Sequence, residues 1–255
     1  MIRLASAAAP ACRALPCTVA GALALACGMA HADPADYVFV PYTTAGVRVL
    51  AVAAGVEHDR DGSRASQQTL SLGWSPISRW FTSIYGAWEA DDGAHYRIDE
   101  WSWLNHVQLT TPGDGPVDIG ALCEIEKPHD RDEGTGFKCG PTLELDTDEL
   151  QWNLNPIFEK HAHAADPAPV ALGYQWQVKG MWSAHVELGA QGFGELGTWN
   201  HWAAGSQQSH ELGPAVFAKW MLPDGHALKL DAAWLAGIGS GSPRDTLRLR
   251  VQHEF

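Results

Sequence analysis

The chain has little cysteine, few bases and no long apolar run beyond its first thirty residues. Three of its five cysteines (Cys12, Cys17 and Cys27) precede residue 33, leaving only Cys123 and Cys139. Two cysteines exclude a disulfide-stapled miniature scaffold. Seventeen basic residues stand against 30 acidic ones, and two of the bases, Arg3 and Arg13, also precede residue 33. The remainder carries 15 basic and 30 acidic residues, a net charge of −15. That balance excludes a nucleic-acid partner, which needs a basic footprint. After residue 32 no segment approaches 18 consecutive apolar residues, so no transmembrane helix is expected.

The first 32 residues read as a secretory signal. Arg3 and Arg13 supply the positive start, Leu15 to Met29 the apolar run, and Ala30-His31-Ala32 a small-x-small cleavage site before Asp33. Lipidation at Cys27 is the alternative, but Ala24 fits poorly three residues before it. An exported chain without a spanning helix is either a soluble β-protein or a closed barrel, the other structure that satisfies its backbone inside a bilayer.

The rest of the sequence repeats one theme. Stretches of about ten residues alternate apolar and polar, and turn residues separate them. Twelve are expected, near 46–57, 66–75, 80–90, 96–109, 116–127, 136–146, 149–160, 169–179, 182–193, 209–221, 226–237 and 245–255. Tilted membrane strands need about nine to eleven residues. In one stretch Leu150, Trp152, Leu154, Pro156 and Phe158 share a face; in another Trp182, Ala184, Val186, Leu188 and Ala190 do. The apolar positions recur every two residues, which is strand and not helix. The last strand follows the same rule: Leu247, Leu249, Val251 and Phe255 form its apolar side and read as an assembly signal, against Arg248, Arg250, Gln252 and Glu254. Connections after even-numbered strands are short, and those after odd-numbered strands longer and more charged, as in a barrel with both ends in the periplasm. Trp80, Trp88, Trp101, Trp103, Trp152, Trp176, Trp182, Trp220 and Trp234 fall on or near strands, as interfacial girdles or as a sandwich core. Pro141, Pro156 and Pro214 sit inside strands, where a bulge or a misplaced boundary is expected.

The same parity assigns an inward set: Glu100, Asp118, Glu124, Glu126, Glu144, Glu159, Glu187, Glu211 and Asp231, with Lys138, Lys219, Lys229, Arg248 and Arg250. Such charges need mutual pairing or a wet lumen. They line a channel in one reading and plug the lumen with salt bridges in the other. Cys123 and Cys139 flank one loop symmetrically, as a cross-strand disulfide or as two free thiols. His161 and His163 are the closest histidine pair, and alternation would aim both rings one way, which suits a divalent metal; solvated loop histidines are the commoner outcome. For hydrolysis, Ser183 with His185 and the pair Asp91-Asp92 are unspecific candidates. No catalytic residue and no cofactor is assigned.

Three segments carry a resemblance. Leu150 to Lys160, Ala121 to Pro128 and the closing Leu247 to Phe255 resemble strands of a largely uncharacterised group of proteobacterial outer-membrane barrels, transporter-like and loosely related to phenol- and hydrocarbon-pathway barrels. His253 departs from the group, which usually has an aromatic or apolar residue there. The resemblance implies a fold and a location and carries over no catalytic residue.

The sequence therefore predicts an all-β chain, a transmembrane up-and-down antiparallel barrel of about 12 strands. The signal at 1–32 precedes a periplasmic N-terminal segment at 33–45 and a barrel at 46–255. Its expected partners are the outer-membrane bilayer of a Gram-negative cell, the barrel-assembly machinery and a small solute that passes or binds. A barrel-wall hydrolase and a soluble periplasmic β-protein are the competing readings.

Overall fold

A computed structural model describes residues 33–166 and 169–255. The expected signal peptide, with its cleavage and lipidation sites, lies outside the described residues. The strands are β1 (Arg48–His58), β2 (Arg64–Ile77), β3 (Trp80–Asp91), β4 (Arg97–Gln108), β5 (Asp118–Pro128), β6 (Thr135–Asp146) and β7 (Leu150–Ala162). There follow β8 (Ala171–Ser183), β9 (Val186–Thr198), a two-residue β10 (His201–Trp202), β11 (Ser209–Met221), β12 (Ala227–Gly237) and β13 (Asp245–Glu254). Each long strand pairs antiparallel with its neighbours in sequence. β1 also pairs with β13, and β9 pairs with both β8 and β11, so twelve strands close into a barrel. β10 pairs only with the upper end of β9. Closure leaves no long edge unpaired, which is what a bilayer demands of a sheet.

Here the lower end is where β1 begins and β13 finishes. Its turns include Ser78–Arg79 and Ala184–His185, and its longest connection is 109–117. The upper connections run from 59–63 to 199–208. The segregation of loop lengths is thus weaker than expected: four lower turns are short, but 109–117 is longer than every upper connection except 199–208.

Burial follows strand parity. In β13, Thr246 and Arg248 are buried while Leu247, Leu249 and Val251 are exposed; in β1, Val49, Ala51 and Ala53 are buried while Leu50 and Val52 are exposed. The exterior is an apolar belt. Most of its exposed tryptophans lie toward one end or the other, with Trp74, Trp152, Trp182 and Trp220 low and Trp101, Trp199, Trp202 and Trp234 high, while Trp103 sits mid-strand between them. A belt of this kind faces lipid; in water it would be an aggregation surface. The sandwich-core alternative for the tryptophans is overturned: of the nine expected on strands, Trp101, Trp103, Trp152, Trp182, Trp220 and Trp234 are exposed, Trp80, Trp88 and Trp176 are half-buried, and none is buried. His253 completes a lower-rim cluster, its ring 5.4 Å from Phe255 and 5.2 Å from His226.

Three expectations need correction. The turn expected at Gly180-Met181 lies instead at Ala184–His185, so β9 starts and ends later than the alternation suggested. Apolar alternation runs unbroken through Trp182 and Ala184, and nothing in it marks the turn. The strand prolines need no bulge. Pairing of β6 with β7 lapses between Cys139↔Phe158 and Leu143↔Leu154, and resumes in the same register. Pairing of β11 with β12 lapses likewise around Pro214. Glycines permit the close approach there: a methyl on Gly140 would strike the carbonyl of Pro156, and one on Gly213 that of Trp234.

The third correction is the largest. Residues 33–47 do not lie in the periplasm below the barrel; they run inside it. Ala35 and Val38 are buried. The Phe39 amide donates to Gln175 Oε1 (3.1 Å), and Asn155 Nδ2 donates to the Phe39 carbonyl (2.9 Å). Lower down, the Tyr42 hydroxyl donates to Asp118 Oδ2 (2.7 Å), Thr43 Oγ1 meets Ser75 Oγ (2.5 Å), and Gly46 and Val47 bond the backbone of Ser75. Near the upper end Gly55 leaves the space that the Pro34 carbonyl fills.

Candidate functional site

The candidate site is the lumen. The segment 33–47 divides it into an upper chamber of about 860 Å³ and a lower one of about 550 Å³. At the waist Val38 packs with Phe193, Ala215, Phe217, Ala233 and Leu235. The Arg250 guanidinium lies over the Tyr37 ring at 3.6 Å, and that of Arg248 over Phe193 at 3.8 Å. Such stacking holds a cation against a ring face while its stem stays packed.

The two chambers differ in charge. Carboxylates on the upper wall include Glu57, Glu89, Asp99, Glu100, Glu124, Glu126, Glu159 and Glu195; Lys138 and Arg250 are its cations. The lower wall sets Lys179, Lys219, Lys229 and Arg250 against Glu144, Glu187, Asp231 and Glu254. Ion pairs join Lys138 to Glu126 (2.6 Å), Lys179 to Glu187 (2.9 Å) and Lys229 to Glu254 (2.5 Å). Tyr85 donates to Glu124 and to Glu100. Below these, a polar chain links Glu144 to Asn153, Asn153 to Gln177, Gln177 to Gln191 and Gln191 to Asp231. It belts the interior across β6, β7, β8, β9 and β12.

Every residue of the expected inward set turns to this interior. Glu100, Asp118, Glu124, Glu126, Glu144, Glu211 and Arg248 are buried. Lys138, Glu159, Glu187, Lys219, Lys229, Asp231 and Arg250 line the chambers. Asp118 joins the N-terminal segment to the lower connection, accepting from the Tyr42 hydroxyl and from the Gly113 amide. Glu57, Glu89, Asp99 and Glu195 were not in the set. Glu57 and Glu195 share the parity of their strands' buried residues and were legible. Asp99 was not: the register shift between Ala87 and Trp88 places Asp99 and Glu100 on one chamber wall although they are neighbours in sequence.

Cys123 and Cys139 are direct cross-strand partners on the outer face, and both are free thiols. His163 leaves the strand with φ 61°, so the expected pairing with His161 on one face does not form. Ser183 and His185 sit at the lower turn and Asp91 and Asp92 at the upper end, so the hydrolytic candidates are at opposite ends of the barrel. In the upper loops, hydrogen bonds from Ser63 hold the Asp61 carboxyl below its usual value. Burial, helped by Asp99 and Asp130, pushes Glu133 up.

No protein-family model and no curated protein matches the chain. Solved structures do. The crystal structure of an outer membrane channel from Pseudomonas putida F1 superposes with a TM-score of 0.62 at 11% identity, covering 88% of this chain and all of that one. The translocator domain of the autotransporter NalP from Neisseria meningitidis gives 0.50 at 13% identity, covering 84% of this chain and 89% of that one. The chain thus has the fold of outer-membrane β-barrels.

Proposed function

We propose that this protein resides in the outer membrane of a Gram-negative bacterium and passes a small, preferably cationic solute through its lumen. Residues 33–47 close the path in the state described above and must shift for passage. The observation that carries the reading is the N-terminal segment itself. It fills the waist between two wet chambers, tethered by a handful of hydrogen bonds instead of by strand pairing along its length. The carboxylate-rich upper chamber supports the cation preference, since a wall of one sign concentrates counter-ions. The resemblance to phenol- and hydrocarbon-pathway barrels adds an uncharged aromatic as a second solute, for which Tyr37, Phe193 and Phe217 at the waist offer ring contacts. The outward face of β13, with Leu247, Leu249, Val251 and Phe255, is the surface the barrel-assembly machinery would read.

The test is planar-bilayer conductance in a potassium chloride gradient, with the intact protein and with a form lacking residues 33–45. The expected result is a small or intermittent conductance for the first and a larger, steady, cation-preferring one for the second. Silence from both overturns the proposal.

A further inference from the structure

Below the upper loops, side chains from β5 and β7 converge across β6. Glu126, Glu159 and His161 each present a ligand atom, and these atoms lie within 4.8 Å of one another. The register explains how residues two strands apart can meet. Glu126 pairs with Gly136, and Gly136 pairs with His161. A methyl on Gly136 would press on Glu126, so the glycine leaves the gap through which the ligands approach.

The hydrogen bonding of His161 carries the argument further. Nδ1 lies 3.0 Å from the Glu133 carbonyl, which can only accept, so Nδ1 carries the proton. Nε2 then faces Glu159 Oε1 at 2.8 Å. In the neutral ring Nε2 is a lone pair, and two acceptors at that distance need a cation between them. It is either a second proton or a metal ion. A carbonyl holding the far nitrogen is also the usual outer support of a metal-bound histidine. Glu126 completes the set: its side chain is only 3% exposed, and its Oε1 is held by the Lys138 ammonium at 2.6 Å.

We propose that this trio binds a first-row divalent transition-metal ion at the mouth of the upper chamber. One imidazole and two carboxylates favour zinc, nickel or copper over magnesium or calcium. Tetrahedral ligands on zinc stand about 3.4 Å apart, so side-chain shifts alone close the site. Lys138 is the built-in competitor. Its ammonium holds Glu126 when the metal is away, and metal binding displaces it. The proposal does not depend on conduction and goes beyond the solute reading.

The experiment is calorimetric titration of the purified, untagged barrel in detergent with zinc chloride, repeated with His161→Ala, Glu159→Gln and Lys138→Met. One ion per barrel is expected, with affinity at least tenfold weaker in His161→Ala and Glu159→Gln and stronger in Lys138→Met. Cobalt added to the wild-type barrel should give the visible absorption of a tetrahedral nitrogen–oxygen site, a readout that needs no variant. No binding, or equal zinc affinity in wild type and His161→Ala, overturns the proposal.

Discussion

Leu249 and Arg248 are neighbours in sequence and opposites in environment. Leu249 is exposed on the belt; Arg248 is buried, with Nε and Nη1 lacking hydrogen-bond partners and its plane on Phe193. A charge at the belt's mid-height costs about 2–4 kcal/mol, whereas a wet interior tolerates it. Leu249→Arg should therefore lower unfolding stability in lipid vesicles by about that amount, and Gln252→Arg by less than about 0.5 kcal/mol. Equal losses would mean that the two faces are not lipid and lumen. Gly55 gives a second residue-scale test. Any side chain there collides with the Pro34 carbonyl. The strand is fixed by pairing on both sides, so the N-terminal segment has to yield. Gly55→Leu should raise conductance while keeping the heat-dependent gel shift of a folded barrel. The facing of single residues was the most legible property of the sequence, because strand alternation needs no tertiary information. Asp99 escaped it, since a register shift is set by pairing with β3 and leaves no mark in β4 itself.

Strand boundaries were legible to within a few residues wherever glycine, proline or charge interrupts the alternation. They failed at Ala184–His185, where an apolar run continues straight through a two-residue turn. The N-terminal segment failed for a different reason. Asp33 to Val47 mixes prolines with scattered aromatics and shows no period, so nothing in it indicates burial. What buries it is the interior of a barrel that forms elsewhere in the chain. Deleting 33–45 should leave the barrel folded, because no strand uses those residues as a partner. It should still lower the melting temperature, since Val38 leaves its apolar cluster, a loss of roughly 1.5–3 kcal/mol. A form that no longer shows heat-modifiable migration would contradict this, and would make the segment part of the folding core.

For the molecule as a whole, the net charge of −13, or −15 after residue 32, was legible as a bias but not as a gradient. The gradient arises because Glu57, Glu89, Glu100, Glu124, Glu126, Glu159 and Glu195 come from six strands and gather only on closure. Neutralising two of them with Glu124→Gln and Glu126→Gln should move the reversal potential toward anions, with open conductance largely kept. An unchanged reversal potential would place the selectivity elsewhere. The central claim is that residues 33–47 lie in the lumen and must move for passage. Thr43 Oγ1 and Ser75 Oγ, 2.5 Å apart, allow it to be tested directly. A Thr43→Cys, Ser75→Cys protein, with Cys123→Ser and Cys139→Ser to remove other thiols, should form an internal disulfide on oxidation. Single-channel recording should then find the oxidised protein silent and the reduced protein opening again. Failure of the bond to form, or openings that persist with the bond in place, would contradict the account.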